Sequence, residues 1–360
     1  MLKVLELFAG IGACSKALEN LGIEHEIVDA VEIDKYAIKS FNAIHGTNFE
    51  PQDIKEWNKD IKCDLIMHGS PCQDFSIAGK QAGGDEGSGT RSSLMYETLR
   101  IVEKLKPTYV IWENVKNILS SRHVHNWDAY AEYMEELGYT NHCQILNAKD
   151  YGIPQNRERV FTISIKDYYD KDFNCLLARD FQFPAKIKLK KKLKDFLEIN
   201  VDEKYYLNKE KLDMISNWQC YEKPLNHIKT DEGIMGTITT RSGAECGGMK
   251  VIAIKTANKQ GYDLASNGDG IDLSYPNSQT RRGRVGHSIS KTITTSDFQG
   301  VMDNYRVRKL TPRECFRLMG FDDSDFNKAS EVCSNAQLYK QAGNSIVVNV
   351  LEAILNELLK

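Results

Sequence analysis

Apolar and polar positions follow two different rhythms over residues 1–165. Short runs that are apolar at nearly every position, "KVLELF", "IVDAVEI", "CDLIMHG", "YVIWENV" and "RVFTISI", alternate with longer stretches whose apolar residues recur three and four apart. The runs predict strands, and the stretches at 13–21, 34–44, 92–105 and 127–137 predict helices. Strands without a polar face belong in a mostly parallel sheet covered by helices on both sides, so the pattern predicts an α/β fold. In such sheets ligands sit beyond the carboxyl ends of the strands. Residues that immediately follow the apolar runs are therefore the first candidates for chemistry.

The rhythm fails near residue 184. A Lys-rich stretch, "AKIKLKKKLKDFL", is followed by scattered Gly, Asn, Asp and Thr. Two pieces, "GTITTRSG" at 236–243 and "KTITTSDFQG" at 291–300, share a Thr-Ile-Thr-Thr core that predicts strands with a turn after each. Residues 258–288 predict loops ending in a basic tip, "QTRRGRVGHS". Helical periodicity returns at "LTPRECFRLMG", and the tail "NSIVVNVLEAILNELLK" predicts an apolar helix docked back on the sheet.

Composition narrows the class. The chain has 360 residues, 41% hydrophobic and 27% charged, as a globular protein of one large or two smaller domains would. No apolar run is long enough to span a bilayer, and "MLKVLELFAG" reads as a first strand, not a signal peptide. Nine cysteines without a CxxC pair argue against a disulfide framework and a zinc cage, and for a reducing compartment. Net charge is −3, but residues 181–320 carry 24 Lys and Arg against 16 Asp and Glu, or +8, leaving 23 against 34, or −11, elsewhere. A basic middle in an acidic chain suits either a polyanion or a solvated surface.

Several clusters follow the predicted strands. "LFAGIG" at 7–12 leads from a strand into a helix, and Gly10 and Gly12 permit close backbone approach to a ligand. The third glycine of the dinucleotide fingerprint is absent, because Ser15 stands there. Glu32 ends the second run, 22 residues after Gly10, where a carboxylate can bind ribose hydroxyls; Asp53 precedes the third. Cys72 sits in the turn "GSPCQDFS", ahead of the hinge-rich "AGGDEGSGTR". A free cysteine is most often a small buried hydrophobe. In a polar strand-end turn it is also suited to be a nucleophile under a lid. "WENV" puts Glu113 and Asn114 at the end of another run, and "YGIPQNRERVF" puts Gln155, Arg157 and Arg159 at period-two positions that predict one shared face. Arginines there can pair with phosphates, a base carbonyl or Glu113.

In this order, the pieces resemble the cytosine-C5 DNA methyltransferases of bacteria and phages over nearly the whole chain. The resemblance is carried by FxGxG at 8–12, Glu32, Asp53, Pro-Cys-Gln at 71–73, "GTRSSLMYE" around Arg91, Glu113-Asn114-Val115, Gln155-x-Arg157-x-Arg159, "RKLTPRECFRLMGF" at 308–321 and "QAGNSIVVNV" at 341–350. It implies a Rossmann-like S-adenosylmethionine-dependent sheet in a discontinuous catalytic domain, 1–165 with 331–360. A smaller, irregular, β-rich target-recognition domain would span 166–330, including the 308–321 scaffold motif.

The chemistry implied is covalent. The Cys72 thiolate adds to C6 of a cytosine flipped out of the duplex, Glu113 carries a proton for N3, and C5 takes the methyl group. Glu113 is then expected to have a raised pKa from burial. Arg159 would hold the base carbonyl, with Arg157 and Gln155 supporting the loop. The cofactor would touch Phe8, Gly10, Ile11, Gly12, Glu32, Ile33, Asp53, Ile54, Pro71, Leu94, Asn344 and Ser345. Double-stranded DNA would meet Gln73, Ser76, Arg91, Arg241, Arg281, Arg282, Arg284 and Thr292, with Arg282-Gly283-Arg284 as a major-groove reader. Thr292-Ile293 resembles the family's Thr-Leu recognition pair, and Thr237-Ile238 is its rival. The Lys186–Lys194 run suits either DNA contact or a solvated helix face.

No metal is implied, and the histidines, with His123 and His125 placed in a loop, show no ligand spacing. The expected protein is a cytoplasmic, nucleoid-associated monomer without a membrane partner, paired or not with a separate restriction endonuclease. A tRNA cytosine-C5 methyltransferase, or a silent DNA-binding protein on this scaffold, is the alternative. The first would have a shorter recognition segment, and the second would lack Cys72, Glu113 or Arg159.

Overall fold

The computed structural model describes residues 1–71, 94–170, 175–216, 251–304 and 306–360. Its main sheet contains β1 (Leu2–Leu7), β2 (His25–Val31), β3 (Leu65–His68), β4 (Tyr109–Val115), β5 (Tyr139–Asn147) and β7 (Glu158–Lys166), with the short β6 (Gln155–Asn156) just before β7. The order is β2-β1-β3-β4-β7-β5. β1 to β4 are mutually parallel and β7 is antiparallel to both its neighbours. All five apolar runs became strands of this sheet. β5 did not show in the pattern because it is an edge strand, "YTNHCQILN", buried mainly at its ends. An edge strand half in solvent needs no continuous apolar run.

Alternation along each strand divides the core in two. Val4, Leu65, Met67, Ile111, Phe161 and Ile163 face one side; Leu5, Leu7, Ile66, Val110, Trp112 and Val160 face the other. The first side is covered by α1 (Ala13–Asn20), the second by α3 (Met95–Leu105) and α4 (Val124–Glu136), while α2 (Lys35–His45) lies beside β2. Each fully buried aliphatic side chain contributes about 1.5–3 kcal/mol. α4 starts earlier than the spacing indicated. His125 lies inside it and His123 is its buried N-cap residue, so neither belongs to a loop.

The segment expected to choose the target has its own small core. After the hairpin β8 (Tyr168–Asp170) and β9 (Cys175–Leu177) come α5 (Lys209–Ile215), the antiparallel pair β10 (Val251–Lys255) and β11 (Tyr262–Ser266), and an antiparallel sheet of order β13-β12-β15-β16. Those strands are β12 (Gly270–Asp272), β13 (Val285–Gly286), β15 (Gln299–Asp303) and β16 (Arg306–Lys309); β14 (Ser290–Lys291) pairs instead with β6. Ile215, Ile254, Ala265, Ile271, Met302 and Val307 fill the space between them. The Lys-rich stretch is not a helix until a short 3-10 turn at Leu193–Phe196; residues 185–192 run irregularly, Lys186 pairing with Asp150.

The chain then returns to the first body. α6 (Pro312–Leu318) opens on a capping box between Thr311 and Glu314 with proline in the first turn, and α7 (Asp323–Val332), α8 (Asn335–Asn344) and α9 (Val348–Leu358) follow. α9 packs on α1, and Leu351, Ile354 and Leu355 enter the core of Val4 and Leu65. Phe316, Leu318, Phe326 and Ala329 enter the same core. Buried Lys16 of α1 reaches Asp322 and Asp325 at 3.0 Å each. The helices at 312–332, assigned by the sequence to the 166–330 segment, thus pack with the catalytic body, where their apolar faces find cover.

Candidate active site

A cleft of about 410 Å³ opens at the carboxyl ends of β1, β3 and β4, lined by Glu6, Phe8, Gly10, Gly69, Glu113, Asn344, Ser345 and Ile346. Gly10 has φ +57°, and a Cβ there would point into open space. Gly12 also has a positive φ, +81°, but a Cβ on it would come within 2.1 Å of His45 Nε2. The imidazole itself bonds the Ile11 carbonyl at 3.1 Å. Gly10 therefore leaves room for a ligand, whereas Gly12 leaves room for α2. Ile11 turns its side chain into the core, offering none to the cleft. Below the loop, Ser15 N donates to buried Glu6 at 3.0 Å and Ser15 Oγ bonds the same oxygen; burial pushes Glu6 up to about 7.

Glu32 is fixed at both oxygens: Gly10 N donates to one at 3.0 Å and Asp34 N to the other at 2.8 Å. Desolvation raises its pKa against those donors. Next to it Ile33 is 69% exposed, an apolar platform in solvent. Asp53 caps a turn by accepting from Lys55 N at 3.0 Å, and Ile54 is buried beneath it. Two residues that the sequence reading passed over hold this turn. Asp29 accepts from Gln52 Nε2, Trp57 Nε1 and Lys59 Nζ, and Arg100 donates to the carbonyls of Ile54 and Trp57. The available signal was a lone aspartate inside the apolar run "IVDAVEI". Leu94 lies partly buried against the α3 side of the core.

At the end of β4, Glu113 is 9% exposed and lines the cleft. Arg159 Nε lies 3.0 Å from Glu113 Oε1, and that oxygen accepts no hydrogen bond from any described residue. Because Val115 pairs with Arg159 and Glu113 with Phe161, the two charges are diagonal neighbours across β4 and β7. Asn114 Nδ2 donates to the Ser70 carbonyl at 3.4 Å and Trp112 Nε1 to Ser70 Oγ at 3.0 Å. The end of β4 thus grips the turn in which Pro71 stands, one residue before Cys72. Cys72, Gln73, Ser76, the glycine-rich 79–89 stretch, Arg91, Thr237-Ile238 and Arg241 lie outside the described residues.

Gln155, Arg157 and Arg159 do not share one face, because the backbone between β6 and β7 breaks the alternation at Arg157. Gln155 accepts from Ile293 N at 3.0 Å and donates to the Leu318 carbonyl at 2.8 Å. Arg157 donates to the carbonyls of Ile293, Gly343 and Ser345 at 3.1, 3.2 and 2.8 Å. Only Arg159 faces Glu113. These side-chain bonds also explain why Thr292–Thr295, expected as a strand, is irregular: its backbone is held by side chains instead of a ladder. Thr292 Oγ1 donates to the Asn156 carbonyl at 2.9 Å.

The basic tip divides unevenly. Arg282 is exposed and Arg281 pairs with Asp272 beside the Tyr275 ring. Arg284 is 1% exposed and donates to the carbonyls of Asp272, Ser274 and Tyr275 at 3.0, 2.7 and 2.6 Å. It ties the loop together and is not presented to a groove, which removes it from the expected guanine readers.

The model of the C-5 cytosine-specific DNA methylase family matches residues 2–360. The chain belongs to this family. The orphan methyltransferase M.SPRI of Bacillus phage SPR is 34% identical, covering 99% of this chain and 97% of its own. The type II methyltransferase M2.ScrFI of Lactococcus lactis is 35% identical over 100% and 99%. M.HhaI of Haemophilus parahaemolyticus, also a type II methyltransferase, is 34% identical over 98% and 93%. Among solved structures, the S. pombe Dnmt2 methyltransferase aligns with TM-score 0.59 at 20% identity over 100% and 98%, and the Entamoeba histolytica methyltransferase EhMeth with 0.62 at 17% over 100% and 98%. At those identities the structural likeness speaks for the fold.

The protein is accordingly a DNA cytosine-C5 methyltransferase, and the family's own description names DNA, not tRNA. Its methyl donor is S-adenosylmethionine. The methyltransferase's cleft fits that group: open space over Gly10, an anchored carboxylate at Glu32 and an exposed apolar surface at Ile33. No described helix is long and apolar enough to cross a membrane.

Proposed function

We propose that this methyltransferase modifies a cytosine within a specific word of double-stranded DNA, through a covalent step at Cys72. The observation carrying the proposal is the convergence of Glu113, its neighbour Arg159 and the Gly69-Ser70-Pro71 turn that leads to Cys72, held by Asn114 and Trp112, beside the Gly10 cleft. In this reading Glu32 holds the cofactor's ribose, Ile33 and Asp53 its adenine, and Phe8, Pro71, Asn344 and Ser345 enclose the remainder. When bound, S-adenosylmethionine supplies an electrophilic methyl group.

The protein's share is to activate a poor nucleophile. The Cys72 thiolate forms a bond to C6 of the flipped base, and the C5–C6 π pair is pushed toward the ring. Glu113 donates a hydrogen bond or proton at N3 and Arg159 neutralises the base carbonyl, so that electron density gathers at C5. After methyl transfer, which leaves S-adenosylhomocysteine, C5 loses its proton to solvent, the freed C–H pair restores the C5–C6 double bond and expels the Cys72 thiolate, and N3 gives its proton back to Glu113. Arg282 and Thr292 contact the duplex in this proposal, with the segment between residues 166 and 311 choosing the word. The enzyme works as a monomer on DNA in the cytoplasm of a bacterial cell or phage-infected host, separately from any cognate endonuclease.

A duplex in which 5-fluorocytosine replaces the target cytosine tests the covalent step, because fluorine cannot leave as a proton does. Bisulfite sequencing of a plasmid co-expressed with the enzyme first identifies that target. An adduct mapped to Cys72 by mass spectrometry is expected. Its absence, with normal turnover on unmodified duplex, would rule out attack at C6.

A further inference from the structure

Three segments distant in sequence meet at Arg157. One guanidinium nitrogen donates to Ile293 O at 3.1 Å, and another to Gly343 O at 3.2 Å and Ser345 O at 2.8 Å. The first carbonyl belongs to the recognition segment, and the other two to the turn that closes the cleft beside Asn344. Gln155 holds the same Ile293 from its amide side at 3.0 Å. The two turns also touch directly, since a Cβ on Gly343 would lie 2.3 Å from Thr294 C and 2.4 Å from Thr295 N. No side chain separates the two backbones. A displacement of Thr292–Thr295 cannot occur without moving Gly343–Ser345 or breaking a charge-assisted bond of Arg157.

We infer that Arg157 is a positioning residue that couples DNA engagement by Thr292–Thr295 to the seating of the cofactor against Asn344 and Ser345. DNA bound at the recognition segment presses through Arg157 and Gly343 on the cofactor pocket, and an occupied pocket holds the recognition segment in its DNA-binding position. Linkage makes the effect reciprocal: the factor by which DNA tightens the cofactor equals the factor by which the cofactor tightens DNA. The inference rests on the proposed placement of DNA at 292–295 and of cofactor at 344–345.

The test measures S-adenosylhomocysteine affinity by calorimetry, alone and with a saturating duplex carrying the methylated word. Wild-type enzyme is expected to show a ratio of about 5- to 150-fold, the usual span of such couplings. Arg157→Met should bring the ratio near one while moving the DNA-free affinity much less. A merely structural arginine would weaken both affinities together and leave the ratio intact. Thr292→Val, which removes the bond to the Asn156 carbonyl together with the hydroxyl offered to DNA, is a milder variant that should lower the ratio in part and serves if Arg157→Met does not fold.

A wild-type ratio of one overturns the coupling, as does an unchanged ratio in Arg157→Met, or in Thr292→Val should that variant alone fold. If Thr292→Val leaves the duplex affinity of the cofactor-free enzyme untouched while the ratio falls, the Thr292 hydroxyl does not touch DNA and the coupling through Arg157 stands.

Discussion

Arg159 Nε and Glu113 Oε1 stand 3.0 Å apart on adjacent antiparallel strands without a hydrogen bond between them. The charges attract, but the carboxylate oxygen keeps its accepting capacity. A polar ring entering the cleft would meet both heads at once. Glu113→Gln and Arg159→Ala should each lower single-turnover methyl transfer by about 10²–10⁴-fold, and the double variant should lose much less than the product. Strictly multiplicative losses would show that the two heads do not act on one base.

The two glycines of the first loop should fail differently. Gly12→Ala places a methyl group within 2.1 Å of His45 Nε2 at φ +81°, so thermal unfolding should report a loss of about 2–4 kcal/mol. Gly10→Ala, at φ +57° with open space around it, should cost only about 1–2 kcal/mol of stability. It should nevertheless weaken S-adenosylhomocysteine binding at least about tenfold, by filling the cleft with a methyl and shifting the loop (1.4 kcal/mol per decade). Equal melting losses would contradict the division of roles.

Burial lowers the His45 imidazole to about 4 and that of His68 to about 3. An unfolded chain takes up these protons near pH 6.5, so below that pH it binds more protons than the native protein. The two histidines' contribution to stability therefore declines as pH falls from about 6.5 toward 4, His45 accounting for up to about 3 kcal/mol, while Glu6, raised to about 7, works in the opposite sense. His45→Gln keeps a donor for the Ile11 carbonyl but cannot titrate. Urea unfolding between pH 7 and 4 should give that variant a shallower slope, and an identical slope would refute the assignment.

Neighbouring arginines of the tip should also separate. Arg284→Ala takes a donor from three carbonyls, of which Tyr275 keeps Ser278 N, and should destabilise the segment by about 2–4 kcal/mol, read by hydrogen exchange of β12 and β13. Arg282→Ala should leave exchange unchanged and reduce the slope of log affinity against log salt by about one. Loss of sequence choice in a stably folded Arg284→Ala would restore that residue as a reader.

The apolar runs announced the sheet because parallel strands covered on both faces admit little else, and the turns after them held the residues of the cleft. Edge strand β5 escaped because solvent takes one side of it. The roles of Gln155 and Arg157 escaped for another reason. Their spacing is that of a strand, but their partners are carbonyls at 293, 318, 343 and 345, which no local pattern can reveal. Arg284 looked like its neighbour Arg282 because composition does not show which arginine a loop closes upon.

The packing of α9 on α1 has a consequence for synthesis. The cleft is begun by Glu6 and Gly10 and finished by Asn344 and Ser345, which the ribosome adds long afterwards. A nascent chain holds Glu113 well before this wall of the cleft exists. A chain cut ahead of α8 therefore leaves the cleft open on that side, whatever its first half contains.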